Sequence, residues 1–357
     1  MLKGNKGEWS EIYAFCYLLN NGKLLAADKD LNPTKNYFPI LKILREENRG
    51  SILEYIPSDE NRNEIQIFAG ENLIARVDKS DLSNAVSLLF KSIPSGERVF
   101  EIPEVSDFLN NAYINKLKAD SRHKQDINIQ LHDIHTGVTP VCGFSIKSYL
   151  GSNPTLINAG SGTNFVYHVE NCTDEIMDEV NGIDTRTKII DRLKHLKDKG
   201  CLVKCTNEMI SAQFRDNLWF VDSKMPEIIS EVLRIAYSSG LRKLSEAVDV
   251  LKIENPLGLS NVNMYEYKIK KMLCACALGM TPERVWEGEE DANGGYIVVK
   301  EDGTVVCYHI YNRREFEQYL YDYTCFEKPS MTRYQYMSVY KDGDNYKIKL
   351  NLQVRFI

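Results

Sequence analysis

The apolar positions of the chain follow two spacings, one typical of helices and one typical of strands. Within residues 1–20 apolar side chains recur at helical spacing, and this pattern predicts a helix. Residues 21–80 instead contain short alternating segments, which predict an antiparallel β region. Amphipathic patterns predict further helices at 81–94 and 104–119.

Residues 126–147 are predicted to form a β-hairpin. Apolar and polar residues alternate from Ile127 to His132, which is the period of a half-buried strand. A turn follows, with Gly137 available for a positive φ, and a second strand is expected from Val138 to Ile146.

The later part of the chain is predicted to be mainly helical and then β-rich. Helices are expected at 184–200, at 226–252 with a break near Gly240, and at 263–279. The acidic stretch 281–294 is the expected boundary, which gives segments 1–280 and 281–357. We expect an α/β (α+β) fold, in which a mixed central sheet is flanked by helices and followed by additional helical and C-terminal β elements.

Composition limits the class of protein only weakly. The chain has 357 residues, a formal net charge of -6 and a pI near 5.7, which argues against a non-specific nucleic-acid coat protein. Basic residues nevertheless concentrate at 116–124 and 186–204, and a solvated helix face is the plain alternative to a binding surface. The nine cysteines are badly spaced for zinc, so we expect a reduced, cytoplasmic protein. No apolar run is long enough to suggest an export signal or a membrane span.

The hairpin supplies the candidate chemistry. If it folds about residues 136 and 137, Asp126 lies opposite Lys147, and Ser145 joins them on one face. A carboxylate, a hydroxyl and an ammonium would then converge as in a metal site with a lysine beside it. A slip of one residue would move Asp126 to the other face. Asp133 would lie at the far end of the hairpin, and we assign it to the turn.

One carboxylate is few for a hard divalent cation, so a second is expected. Glu8 and Glu11 lie on neighbouring turns of one side of the first helix, and either one would complete the site. The alternative is that both are ordinary acidic residues at a helix start, favoured by the helix dipole. The sequence leaves these readings open.

A loop of small residues at 159–164 is a second candidate for phosphate contact. Its glycines, with Thr163 and Asn164, would let backbone amides approach a phosphate. No helix with Lys-Ser or Lys-Thr follows, so a nucleotide P-loop is not expected, and a plain loop is the alternative.

Several stretches, taken together, resemble the HpaII family of type II restriction endonucleases. They are KGEWSEIY, DINIQLHD followed by GFSIKSYLG, TLINAGSGTNF, ALGMTPERVW with GGYIVV, CYHIYNRREFEQYL and KLNLQVRF, and they span almost the whole chain. The resemblance implies a core like that of the PD-(D/E)xK nucleases, with Asp126 as the first metal carboxylate and Lys147 as the motif lysine. Ser145 stands where Asp or Glu is usual, which leaves the second acid to Glu8, Glu11 or, as a weaker candidate, Glu170.

The same resemblance implies Mg²⁺-dependent hydrolysis of duplex DNA at a short palindrome such as CCGG, leaving 5′-phosphate and 3′-hydroxyl ends. Cutting at a palindrome usually goes with a two-fold homodimer, and a monomer that nicks twice is the alternative. A cognate DNA methyltransferase is the expected functional partner, and the short apolar runs predict no membrane association. Alternatives are a repair or defence nuclease of the same fold and a DNA-binding protein without catalysis. The residues expected to contact DNA are Lys124, Ser148, Asn158, Thr163, Asn164, Arg313, Arg314, Arg333 and Gln335, with Tyr334 and the basic helix at 184–200.

Overall fold

The computed structural model describes residues 1–48, 50–58, 63–118, 125–134 and 136–357. The helices are α1 (Lys6–Asn21), α2 (Lys79–Ser92), α3 (Ser106–Asn111), α4 (Asp174–Gly182), α5 (Lys188–Asp198), α6 (Ala212–Val221), α7 (Met225–Ser239), α8 (Leu244–Glu254), α9 (Asn263–Leu278), α10 (Arg313–Asp322) and α11 (Met331–Tyr334). The strands are β1 (Lys23–Ala27), β2 (Pro33–Asn48), β3 (Ser51–Ile56), β4 (Glu64–Ala69), β5 (Asn72–Asp78), β6 (Ile127–Leu131), β7 (Val141–Ser148), β8 (Thr155–Ile157), β9 (Asn164–Glu170), β10 (Leu202–Met209), β11 (Gly295–Val299), β12 (Val305–His309), β13 (Thr324–Phe326), β14 (Tyr340–Asp342), β15 (Asn345–Asn351) and β16 (Val354–Phe356).

The chain forms two compact units, and each is made of two segments. Unit 1 comprises Met1–Pro154 and Glu290–Phe316, and unit 2 comprises Thr155–Glu289 and Glu317–Ile357. The two segments predicted from the sequence, 1–280 and 281–357, divide the chain at a different place. The difference arises because β11 and β12 join the sheet of unit 1 rather than a separate C-terminal region.

Unit 1 contains a mixed nine-stranded sheet in the order β1-β12-β11-β7-β6-β2-β3-β4-β5. Strand β1 is parallel to β12 and β11 is parallel to β7, whereas the other neighbours are antiparallel. Strand β1 also pairs with the first half of β2, so six strands close into a barrel-like ring. The expected mixed α/β architecture is confirmed, and the ring was not predicted.

Helix α1 begins with a capping box at Asn5 and ends at Gly22, whose φ of 64° is left-handed. Its apolar side is buried in the core of unit 1, where Trp9, Ile12 and Phe15 belong to the same cluster as strand residues such as Ile129 and Phe144. The predicted N-terminal helix is therefore confirmed, and it supplies one wall of the core.

The helix predicted at 104–119 is wrong beyond Asn111. A short 3₁₀ turn at Pro103–Val105 leads into α3, which ends at Asn111. Tyr113 then adopts a left-handed φ of 55°, a conformation that cannot continue a right-handed helix. Residues 112–118 are non-helical, although Ile114 and Leu117 are buried.

Unit 2 contains a four-stranded antiparallel sheet, β10-β9-β15-β14, and a three-stranded antiparallel sheet, β13-β16-β8. Helices α4 to α9 surround a core in which α7 and α9 are deeply buried. The predicted break near Gly240 is confirmed, since α7 stops at that residue and α8 follows. No helix in the described residues has both the length and the apolar character that a membrane crossing requires.

Candidate active site

The β6–β7 hairpin exists, but its predicted register is wrong by two residues. Ile127 pairs with Phe144 and Ile129 with Cys142, so Asp126 lies beside Phe144 and Ser145 rather than opposite Lys147. The turn sets the observed register, because the Asp133 backbone amide donates a hydrogen bond to the Val138 carbonyl. Because the shift is even, the side of β7 that carries Ser145 and Lys147 still adjoins Asp126.

Asp133 itself is used by the turn, as expected. Its carboxylate accepts hydrogen bonds from the Thr136 backbone amide at 3.3 Å and from the Thr136 hydroxyl at 2.6 Å. The Tyr311 hydroxyl also donates to it. These bonds satisfy the buried carboxylate locally, away from Lys147 along the strand.

The Asp126 carboxylate is fixed against β7 by two hydrogen bonds. Its Oδ2 accepts from the Ile146 backbone amide at 2.7 Å and from the Ser145 hydroxyl at 3.2 Å. The Asp126 amide in turn donates to the Phe144 carbonyl at 2.8 Å. The side chain therefore continues the β-ladder past the end of β6, and its position is set by β7.

Ser145 and Lys147 are two residues apart on β7 and lie on the same side of the strand. Ser145 is buried, and its hydroxyl donates the hydrogen bond to Asp126 described above. Lys147 is half-buried. The Ser145 hydroxyl therefore helps to hold the Asp126 carboxylate in place.

Glu11 of α1 is the second carboxyl of this cluster. Its Oε2 is buried and has no hydrogen-bond partner among the described residues. Burial, together with the negative charge of Asp126, raises the pKa of Glu11 from 4.5 to about 8, although the positive charges of Lys118, Lys147 and Arg45 oppose this. One other acid and three cations therefore act electrostatically on the Glu11 carboxyl.

Glu8 has a different task. Its Oε2 accepts a hydrogen bond from the Asn5 amide at 2.9 Å, and the Asn5 side chain accepts from the Glu8 amide at 3.1 Å. This reciprocal pair is the capping box of α1. The structure thus distinguishes the two glutamates that the sequence left equivalent: Glu8 caps α1, and the charge of Asp126 acts on the pKa of Glu11.

Arg45 and Lys118 were not selected as site residues from the sequence. Arg45 lies on β2, a strand read only as part of a generic β region, and Lys118 was assigned to a predicted helix that is absent at that point. The basic stretch 116–124 was the only signal, and it did not distinguish Lys118 from its neighbours.

The donor set of the cluster fits Mg²⁺. Among the described residues no group of three or more His, Cys, Asp or Glu side chains is arranged to hold a metal ion. Mg²⁺, however, is commonly held by one or two carboxylates together with waters and substrate phosphates. Glu11 and Asp126 supply two, and the buried Glu11 oxygen without a described partner is the kind of atom that a cation would satisfy.

Three of the residues expected to contact DNA are described in unit 1. The Ser148 hydroxyl accepts from the Leu150 amide at 3.1 Å. Arg313 forms a two-pronged pair with Glu290 at 3.1 and 2.7 Å, whereas Arg314 is exposed. Lys124 lies outside the described residues.

In unit 2 the expected DNA contacts divide into buried and exposed residues. Thr163 and Asn164 are buried, and the Asn164 amide donates to the Tyr334 carbonyl at 2.8 Å. This placement gives them a structural role and does not support direct contact with DNA. The exposed residues are Asn158, Arg333, which stacks over Tyr334, and Gln335.

Two other sequence candidates in unit 2 also have local partners. Glu170 ends β9 and pairs with Lys204 at 2.8 Å. In the basic helix α5, Arg192 is buried and donates to the carbonyls of Asn181, Ile183 and Met337, so it anchors the helix.

Comparison with known proteins assigns the family. The HpaII restriction endonuclease family model matches residues 5–356, so the chain belongs to this family and the resemblance seen in the sequence is confirmed. The chain is 40% identical over 359 residues to the type II restriction enzyme HpaII of Haemophilus parainfluenzae, covering 99% of this chain and 98% of that protein. No solved structure matches the chain at a significant level.

Proposed function

We propose that this protein is a type II restriction endonuclease that hydrolyses phosphodiester bonds of double-stranded DNA with Mg²⁺. Family membership supports the reaction class. The observation that carries the residue assignment is the buried Glu11 carboxyl, which lies within the electrostatic influence of both Asp126 and Lys147. Acids and an amine in one desolvated cluster are the minimal machinery for metal-assisted phosphoryl transfer.

Each side chain has a distinct role in this proposal. Asp126 and Glu11 would hold Mg²⁺, which when bound supplies a Lewis acid that polarises a phosphoryl oxygen and makes water a better nucleophile. The Ser145 hydroxyl and the Ile146 amide hold Asp126 in place. Lys147 would donate a hydrogen bond to the scissile phosphate and stabilise the charge that develops there.

The arrangement also supports a core of the PD-(D/E)xK type. An acid precedes one strand of an antiparallel hairpin, the lysine lies on the other strand, and the second acid comes from the first helix. The acid has moved from the position of Ser145 to Glu11 in this interpretation.

The substrate follows from the family. The sequence resemblance implies a short GC-rich site such as CCGG, and the 40% identical relative is named as a type II restriction enzyme. We propose a short palindrome of this kind, cut to leave 5′-phosphate and 3′-hydroxyl ends by a homodimer, because a two-fold site matches a two-fold protein. A methyltransferase of the same specificity would be its functional partner. The nine cysteines are free, which fits a reduced, cytoplasmic setting.

Digestion of a sequenced plasmid, followed by mapping of both ends of every fragment, tests the function. We expect discrete fragments in Mg²⁺, none in EDTA, and one sequence at all ends. Metal-dependent cutting without a common sequence would favour a repair or defence nuclease. Duplex binding in Ca²⁺ without cleavage in Mg²⁺ would favour a non-catalytic DNA-binding protein.

A further inference from the structure

Residues 114–118 form a tethered segment rather than a loose loop. Ile114 and Leu117 bury their side chains in the core of unit 1, while Lys118 is exposed. The Leu117 Cδ1 atom lies 2.5 Å from the position that a Cβ on Gly4 would occupy. The segment therefore packs closely against the residues that directly precede α1.

A buried ion pair holds the segment from the other side. Arg45 Nε donates to Glu47 at 2.6 Å, and Arg45 Nη2 donates to the Lys116 carbonyl at 2.8 Å. The second carboxylate oxygen of Glu47 accepts a hydrogen bond from the Asn115 backbone amide at 2.7 Å. The side chains are 10% and 1% exposed, so these bonds are protected from water. We call Arg45 and Glu47 the β2 clamp.

The clamp directs the segment to the side of α1 that carries Glu11. The Arg45 guanidinium lies 5.0 Å from the centre of the Phe15 ring. Phe15 is four residues after Glu11, so the two side chains share one side of the helix. Lys118 follows Lys116, whose carbonyl the clamp holds, and its charge acts on the Glu11 carboxyl together with that of Lys147.

We propose that Lys118 is a second phosphate-contacting lysine of the active site, positioned by the β2 clamp to bind a DNA phosphate next to the scissile one. This inference rests on the proposed function. Lys147 on β7 is half-buried, whereas Lys118 is exposed, so Lys118 is free to reach a phosphate other than the scissile one. A lysine suits this task because its ammonium is a compact charge on a flexible stem.

The test compares Lys118→Ala with Lys116→Ala, which removes the same charge from the same segment. Duplex binding is measured in Ca²⁺ over a range of salt concentrations. Loss of one phosphate contact should reduce the slope of log affinity against log salt by about 0.9, and Lys116→Ala should leave it unchanged. Single-turnover cleavage by Lys118→Ala should fall about tenfold or more, and Lys118→Arg should restore most of it.

An unchanged salt slope with wild-type cleavage in Lys118→Ala would overturn the inference. So would an equal loss in Lys116→Ala, because that would indicate a general charge effect. If the wild-type protein bound duplex DNA without cutting it, the proposed function would fail, but the salt slope would still decide whether Lys118 contacts a phosphate.

Glu47→Gln tests the positioning role of the clamp. It removes the partner charge of Arg45 while leaving an oxygen for the Asn115 amide. We expect the same reduced salt slope as in Lys118→Ala, and no further loss when both changes are combined, because both act through one contact. Circular dichroism confirms that each variant is folded. Full additivity of the two changes would contradict the positioning role.

Discussion

The Asp126 carboxylate and the Ile146 backbone amide are joined by a hydrogen bond of 2.7 Å. Strand β6 begins only at Ile127, so at this level of β7 a side chain takes the place of a strand partner. The position of the Asp126 carboxylate is therefore set by the main chain of β7. The donor residue, Ile146, directly precedes Lys147 in the chain. A backbone donor cannot be removed by a side-chain change, which makes this arrangement robust.

Ser145→Ala should reduce cleavage only modestly. The change removes the 3.2 Å hydrogen bond to Asp126 but leaves the Ile146 amide in place. A single hydrogen bond contributes about 1 kcal/mol, which corresponds to a loss of about fivefold in single-turnover rate. A loss as large as that of Asp126→Ala would show that Ser145 has a direct chemical role.

Glu11→Gln should stabilise the metal-free protein, and more so at higher pH. The pKa of Glu11 is about 8 in the folded protein, above its ordinary value of 4.5. Protonation of Glu11 therefore stabilises the folded protein. This stabilisation is fully present below the ordinary pKa of 4.5 and is lost as pH rises through the folded-state pKa of about 8. Urea unfolding in EDTA should show the variant gaining on wild type by at most about 1.4 kcal/mol per pH unit over this window. A difference that is independent of pH would contradict the raised pKa.

The Mg²⁺ requirement should depend on pH through the same group. Below about pH 8 a cation that binds Glu11 must displace a proton. The half-saturating Mg²⁺ concentration for cleavage should therefore fall by up to about tenfold per unit of rising pH, and then level off. Glu8→Gln is the matched control and should keep this dependence, because Glu8 serves the helix cap. A flat profile for wild type would remove Glu11 from the metal site.

Asn164→Ala should destabilise the fold, whereas Asn158→Ala should not. Asn164 is buried, donates to the Tyr334 carbonyl at 2.8 Å and accepts from Asn351 at 2.8 Å. Leaving such partners unsatisfied costs about 1–3 kcal/mol. Asn158 is exposed, so its replacement should change the free energy of unfolding by less than about 0.5 kcal/mol. Denaturant unfolding compares the two, and equal stabilities would contradict the structural role of Asn164.

Local periodicity predicted the elements whose partners are close in sequence. Helix α1, the β6–β7 hairpin and the β11–β12 hairpin all follow from it. The pairings of β11 with β7, of β12 with β1 and of β6 with β2 join residues far apart in sequence. Alternation along a strand shows that it has a buried face but does not identify its neighbour.

The candidate site was predictable to the same extent. The acid and the lysine were selected as candidates because they lie in one hairpin, but the register of that hairpin depends on turn bonds made by Asp133 and Thr136. Glu8 and Glu11 share a helix side, and only the capping box distinguishes them. Lys118 was assigned to a helix because the sequence continues the helical pattern past Asn111, whereas the left-handed Tyr113 excludes a helix there.

Single-turnover cleavage of a duplex with one CCGG site, with binding measured in Ca²⁺ in parallel, tests the central assignment most directly. Asp126→Ala, Lys147→Ala and Glu11→Gln should each bind DNA yet lose cleavage by about a hundredfold or more, while Glu8→Gln stays near wild type. Cleavage at the wild-type rate by Asp126→Ala or Lys147→Ala would contradict it.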